Sequence, residues 1–257
     1  MNNLNFDLSL AKEYKSQPQR IRVLSENWLE KTMYCPCCGH LVLRKFNNNK
    51  PVADFYCERC QEQFELKSCD KGIKKKIADG AYSTAIERVN SNSNPDLFIL
   101  QYNEFTVRNL IVVPKYFFTP EIIEKRKPLS ENARRAGWVG CNILYGSIPI
   151  QGKIDIIVNG VILPTDIVCS KYKQANRLKI DDISKRGWLF DVLNCVNLIR
   201  SETFSLKDIY QFEEKLQLLH PSNNNIRDKI RQQLQILRDK GLIEFIDNKG
   251  HYKKKMA

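Results

Sequence analysis

Apolar and polar positions change rhythm along the 257 residues, and the changes predict the elements. Residues 8–32, LSLAKEYKSQPQRIRVLSENWLEKT, read as helix in two pieces broken at Pro18. The short stretches DFYC (54–57) and QFELKS (63–68) are aromatic and alternating, which predicts strands. IADGAYSTAIERVN (77–90) predicts a helix, and DLFILQYN (96–103) and NLIVVPKYFF (109–118) predict buried strands. In KIDIIVNGVILP the Asn159-Gly160 pair between apolar runs predicts a hairpin. The Asn clusters at 47–49 and 223–225 read as loops. No internal repeat is present.

The rhythm shifts near KIDDISKRG. Three helices follow: GWLFDVLNCVNLIR (187–200), SLKDIYQFEEKL (205–216) and NIRDKIRQQLQILRDKG (225–241). Ser205 with Asp208 approximates a capping box. Ile226, Ile230, Leu234 and Leu237 recur at helical spacing, with Asn225 able to cap and Gly241 able to stop the third helix. LIEFIDNKGHYKKK then gives a strand, a turn at 248–250 and a basic strand. Three helices and a β-wing form a winged helix, whose third helix would enter the major groove. The boundaries expected are therefore 1–182 for an α/β (α+β) domain and 183–257 for a winged-helix domain.

Composition narrows the class. A 42% hydrophobic and 27% charged chain is an ordinary globular one. The first twenty residues lack a basic segment followed by an apolar one, and no run is long enough to span a membrane, so a cytoplasmic location is expected. The net charge of +12 points to a polyanionic partner. Residues 1–183 hold 27 Lys+Arg against 20 Asp+Glu, and 184–257 hold 14 against 9, so both parts share the excess. A basic surface with no nucleic-acid partner would show the same balance.

Five of nine cysteines fall within 35–60. Cys35-Pro-Cys37-Cys38 and Cys57-Glu-Arg-Cys60 have eighteen residues between Cys38 and Cys57, the spacing of a four-thiolate zinc site. Gly39 supplies the backbone freedom of a knuckle. Either Cys37 or Cys38 can be the second ligand. Cys69, Cys141, Cys169 and Cys195 stand singly and read as small buried hydrophobes.

Asp54 precedes the second knuckle and Glu65-Leu66-Lys67 follows it. Alternation puts Glu65 and Lys67 on one strand face and Leu66 on the other. If the chain doubles back at the knuckle, Asp54 meets Glu65. A hard divalent cation such as Mg²⁺ would relieve their repulsion and activate a water, with Lys67 orienting or deprotonating it. The same pattern also fits a merely exposed, charged strand.

PVADFYC, FELKS, RKPLSENARRAGWVGCNI and IRQQLQILRDKGLIEF resemble the DpnI-like methyl-directed type II restriction endonucleases over essentially the whole chain. The resemblance implies a PD-(D/E)xK restriction-endonuclease-like domain with an inserted zinc ribbon, then a winged helix. It implies Mg²⁺ on Asp54 and Glu65, Lys67 as the catalytic lysine, and structural zinc on Cys35, Cys38, Cys57 and Cys60. The Pro-Asp half of the motif is relaxed, since Ala53 precedes Asp54 and the proline stands at 51. The implied reaction is double-strand cleavage of G-A-T-C sites carrying N6-methyladenine, with unmethylated sites left uncut and both domains sensing the methyl group. The rival readings are a non-catalytic zinc and winged-helix regulator, and a nuclease of different specificity.

Arg134, Arg135 and Trp138 lie in ENARRAGWVGCN, which the resemblance implies touches DNA. Arginines can grip phosphate or guanine and a tryptophan can stack on bases, though a core tryptophan is the commoner case. Arg227, Arg231 and Gln232 lie off the apolar stripe of the third helix and could face the groove. Lys253 and Lys254 suit phosphate or form a solvated tail. A monomer is expected in solution, and one active site cutting two strands would nick sequentially or pair transiently.

Overall fold

The computed structural model describes residues 3–46, 53–247 and 250–255. Pro51, the whole first Asn cluster and the first two residues of the 248–250 turn lie outside them. The elements run α1 (Gln17–Thr32), β1 (Arg44–Lys45), β2 (Phe55–Tyr56), β3 (Gln63–Cys69), β4 (Ile77–Ala81), α2 (Tyr82–Asn90), β5 (Asp96–Asn103) and β6 (Thr106–Val113). They continue with β7 (Ile123–Lys125), β8 (Gly140–Ile143), β9 (Ile154–Val158), β10 (Val161–Ile162) and α3 (Thr165–Asn176). Last come α4 (Ile183–Leu198), β11 (Thr203–Ser205), α5 (Leu206–Tyr210), α6 (Glu213–Leu219), α7 (Ile226–Asp239), β12 (Ile243–Phe245) and β13 (His251–Lys254).

A seven-stranded sheet in the order β1-β2-β3-β5-β6-β9-β10 forms the frame. Its pairs are antiparallel except β3 with β5, which run parallel because α2 and the β4 segment intervene as a crossover. β5 is buried over its first five residues, as a central strand should be. Helix α1 packs against β3 and α3 against β9. A second, three-stranded sheet, β4-β8-β7, carries α2.

Four expectations change in the part of the chain before α4. Pro18 lies in the first turn of α1 and starts the helix instead of breaking one, because a missing N–H costs nothing there. The stretch 77–90 is a strand followed by a helix: β4 is claimed by its pairing with β8, which outweighs local periodicity. The strand read at 109–118 ends at Val113, because Pro114 cannot continue a ladder, and 115–117 form a single 3₁₀ turn. Cys141 and Cys195 are buried as expected, whereas Cys69 and Cys169 are only partly covered. Helix α3 is not among the elements that the rhythm of the sequence predicts. The hairpin at Asn159-Gly160 forms with φ of 50° and 82°, the left-handed values of a tight primed turn.

In the C-terminal part, β11-β13-β12 form a small sheet beside α4–α7. The Ser205–Asp208 capping box is complete, and the helix read over 205–216 is two, α5 and α6, with Phe212 at the break. Ile226, Ile230, Leu234 and Leu237 are all buried. Gly241, at φ 76°, ends α7, with Gly241 N–H bonded to Arg238 O and Leu242 N–H to Leu237 O. Asn225 occupies the cap position of α7, but its side chain makes no cap bond; the Asn223 side chain accepts from the Asn225 N–H.

Helix α4 is buried nearly all round, at Arg186 through Phe190, Val192, Leu193, Cys195 and Val196. Phe190 stacks on Phe117 at 4.7 Å, while Trp188 stacks on His220 at 3.7 Å. One side of the helix therefore serves the large sheet's surroundings and another serves the winged helix. Arg186, 1% exposed, donates to the carbonyls of Ile180 and Phe118 and to the Asn92 side chain. Among the described residues no helix is long and apolar enough to cross a membrane.

Candidate active site and metal centre

Two knuckles with one hydrogen-bond plan meet at the cysteines. Cys35 N–H donates to His40 O and Gly39 N–H to Cys35 O; Cys57 N–H donates to Glu62 O and Gln61 N–H to Cys57 O. The left-handed residue is Gly39 (φ 73°) in the first and Gln61 (φ 61°) in the second. Glycine takes that conformation at little cost, and Gln61 is held there by a side-chain bond to Glu58 O at 2.7 Å. The sulfurs of Cys35, Cys38, Cys57 and Cys60 all lie within 4.8 Å of one another. Cys35–Cys60 and Cys38–Cys57 are each 3.6 Å apart. A tetrahedron with metal–sulfur bonds of ~2.3 Å puts its sulfurs ~3.8 Å apart, so the four residues fit zinc. Cys38, not Cys37, completes the set.

The second knuckle is also the turn of a hairpin. β2 and β3 pair at Phe55–Phe64 and Tyr56–Gln63, immediately outside Cys57 and Glu62. Lys115 anchors the far side by an ion pair to Glu62 at 2.6 Å. Asp54 and Glu65 therefore stand one step beyond the last paired residues on adjacent strands.

Asp54 N–H donates to Phe64 O at 2.9 Å, and an Asp54 carboxylate oxygen accepts from Leu66 N–H at 2.8 Å. Burial holds the Asp54 carboxyl above the usual carboxylate range, helped by the neighbouring charge of Glu26 and opposed by Leu66 N–H, Arg22 and Lys67. Glu65 is raised for the same first reason, with Asp79 and Asp54 adding and Lys67 opposing. Lys67 Nζ sits 2.6 Å from Glu65 Oε1 and 2.7 Å from Asp79 Oδ1. Burial works against its charge, but the two carboxylates outweigh burial and hold its pKa above that of an ordinary lysine. One lysine facing three carboxylates leaves the cluster negative, which suits a hard divalent cation.

Sequence reasoning missed Asp79. It lies in β4, opposite Cys141 of β8, and the register slips between Asp79 and Ala81. A bulge of this kind re-aims a side chain. The only signal in the sequence was an acidic residue in a stretch that also reads as helix.

A cleft of about 510 Å³ opens beside β3, lined by Glu26, Lys67, Lys71, Lys74, Lys76 and Tyr102 among others. Glu26, 4% exposed, is paired with Arg22 and Lys45 at 2.6 Å each.

The loop bearing Arg134, Arg135 and Trp138 joins β7 to β8, so it extends from the sheet that carries Asp79. It is closed by Leu129 N–H to Trp138 O and Gly137 N–H to Leu129 O. Both arginines are exposed; Trp138 is half-buried. The Trp138 ring lies so close to Gly140 that a Cβ there would meet it at 2.8 Å, and the Arg135 guanidinium stands 4.7 Å from the ring centre.

On α7, Arg227, Arg231 and Gln232 are exposed on one side. Arg227 bonds Glu213 at 2.8 Å and Arg231 bonds Tyr210 Oη at 2.7 Å. Lys253 is exposed, but Lys254 turns inwards and its amine donates to Ile199 O, at the end of α4. That bond takes Lys254 away from the solvent-facing role expected of it.

The Dam-replacing family model, of DpnI type, matches residues 2–181, and the Dam-replacing HTH domain matches residues 184–254. The chain belongs to the Dam-replacing family. Its fold is that family's α/β nuclease with a four-cysteine ribbon and a winged helix of the helix-turn-helix class. Dam-replacing proteins of this type are methylation-dependent restriction enzymes, and DNA is the partner of the winged helix.

Proposed function

We propose that this chain is a type II endonuclease that cleaves both strands of DNA at G-A-T-C sites carrying N6-methyladenine and spares unmethylated sites. Residues 1–182 act as the nuclease domain and 183–257 as the DNA reader. The observation that carries the reading is the Glu65–Lys67–Asp79 cluster beside Asp54, at the root of a hairpin whose turn is a cysteine knuckle, in a chain of the Dam-replacing family.

In this reading Asp54 and Glu65 hold Mg²⁺, which when bound polarises the phosphate and lowers the pKa of a bound water. Lys67 orients that water and balances charge on the phosphate oxygens. Zinc on Cys35, Cys38, Cys57 and Cys60 fixes the hairpin. Arg134, Arg135 and Trp138 approach the duplex from the β7–β8 loop. Arg227, Arg231 and Gln232 present α7 to the major groove, where arginine suits guanine and glutamine suits adenine, and Lys253 meets phosphate. The protein works in the cytoplasm as a monomer, nicking sequentially or pairing transiently.

Two plasmids, identical except for adenine methylation at G-A-T-C, test this with and without Mg²⁺. Cutting confined to the methylated plasmid with Mg²⁺ is expected. Asp54→Asn should lower the rate by about two orders of magnitude or more while leaving DNA binding intact, since charge stabilisation at the phosphate is worth several kcal/mol. Retained binding without cutting by the wild type would instead favour a regulator. Cutting of both plasmids, or of RNA, would indicate another specificity.

A further inference from the structure

We propose that Asp79 is a positioning residue for Lys67, a role that rests on the nuclease reading above. Lys67 is held by two carboxylates of different origin. Glu65 belongs to its own strand, two residues away, whereas Asp79 comes from β4 in the other sheet, at 2.7 Å. If Glu65 turns its oxygens to a divalent cation, its bond to Lys67 is weakened. Asp79 then keeps the amine aimed at the cluster, because the strand that bears it is anchored independently of β3. β4 is paired to β8, the bulge after Asp79 sets its direction, and the Cys141 thiol bonds Gly80 O at 3.5 Å with Asp79 Oδ2 at 3.9 Å beside it. Cys141 is fully buried, so this support does not move with solvent.

A lysine tethered only by Glu65 would be released when the metal arrives. One tethered by Asp79 as well stays in place through the reaction. The arrangement also ties the lysine to the sheet from which the Arg134–Trp138 loop emerges, so the loop and the amine share one support.

The test uses full-length wild type, Asp79→Asn, Asp79→Ala and Lys67→Ala. Cleavage of methylated plasmid is measured as kcat and KM separately, and acylation of Lys67 by an amine-reactive ester is followed by peptide mass spectrometry. Acylation is done without metal and with Ca²⁺, which takes oxygen ligands as Mg²⁺ does. Both Asp79 variants should lose roughly 10- to 100-fold in kcat with KM nearly unchanged, a common cost of removing a group that orients an active one. In wild type, Lys67 should react slowly in both conditions. In Asp79→Asn and Asp79→Ala, Ca²⁺ should raise its acylation several-fold. A merely structural Asp79 would change reactivity equally with and without Ca²⁺. That result, or folded variants cutting within two-fold of wild type, overturns the proposal. If wild type fails to cut methylated DNA, or Lys67→Ala cuts as well as wild type, the nuclease reading fails first and separately.

Discussion

At the scale of single residues, the chain places its charges where neighbours decide their state. Asp96, at the start of β5, is fully buried; it accepts Tyr172 Oη–H at 2.5 Å and Lys115 N–H at 2.8 Å. Burial, with Glu62 adding, pushes its carboxyl up to about 8 against the pull of those donors. Between an unperturbed aspartate's 3.8 and about 8, the native chain holds a proton that the unfolded chain has released. Stability therefore falls as pH rises through that window. Asp96→Asn carries no such proton, so the Tm of wild type relative to the variant should drop by several degrees between pH 5 and pH 8 in thermal scans. A difference that does not move with pH would mean that Tyr172 and Lys115 keep Asp96 ionised. Residues of this kind divide into two groups by legibility. Asp54, Glu65, Lys67 and the cysteines stand out because their spacing repeats a chemical pattern within one stretch of chain, although spacing left Cys37 and Cys38 open and fitted a charged strand face as well. Asp79, Asp96 and Glu26 could not, since each gains its meaning from a partner on another element.

At the scale of elements, the β2–β3 hairpin puts buried Phe55 and Phe64 directly beside the four-cysteine cluster. β2 is two residues long and joins the large sheet only through β3 and the equally short β1, so its own ladder holds it weakly. Four thiolates closing around one ion would supply what the short strand lacks, because binding free energy then becomes folding free energy. The purified protein should hold about one zinc per chain. Removing it with a chelator should lower Tm and abolish cleavage even when Mg²⁺ is in excess, and Cys57→Ser should do the same. Unchanged melting and cutting after verified zinc loss would separate the hairpin from the metal. The sequence made both knuckles and the apolar stripe of α7 readable, because each depends on spacing alone. It misassigned β4, where pairing with β8 overrides a helical rhythm, and it was silent on α3, whose apolar side shows only once β9 is beneath it.

For the whole molecule, the deciding element is α4. Family boundaries and the change in sequence rhythm both fall just before it, at 181–184. Yet Phe190 stacks on Phe117, Asn194 donates to Ser147 O and Asn197 exchanges bonds with Gln151, all on the nuclease side. A chain ended at residue 182 should expose that apolar surface and aggregate, whereas one ended at residue 200 should stay soluble and melt cooperatively; light scattering and calorimetry compare them. Equal solubility would mean that α4 is only loosely attached to the large sheet. The overall class, α/β followed by a winged helix, was visible in the order of rhythms. The shared helix was not, because burial on both sides looks in sequence like any strongly apolar helix. Its consequence is for modularity. Readers of different specificity cannot be exchanged between relatives as cassettes cut at the apparent seam, for the helix that begins the reader is also part of the nuclease's wall. A working graft would have to leave α4 with its host, or bring a donor helix already shaped to Phe117 and Gln151.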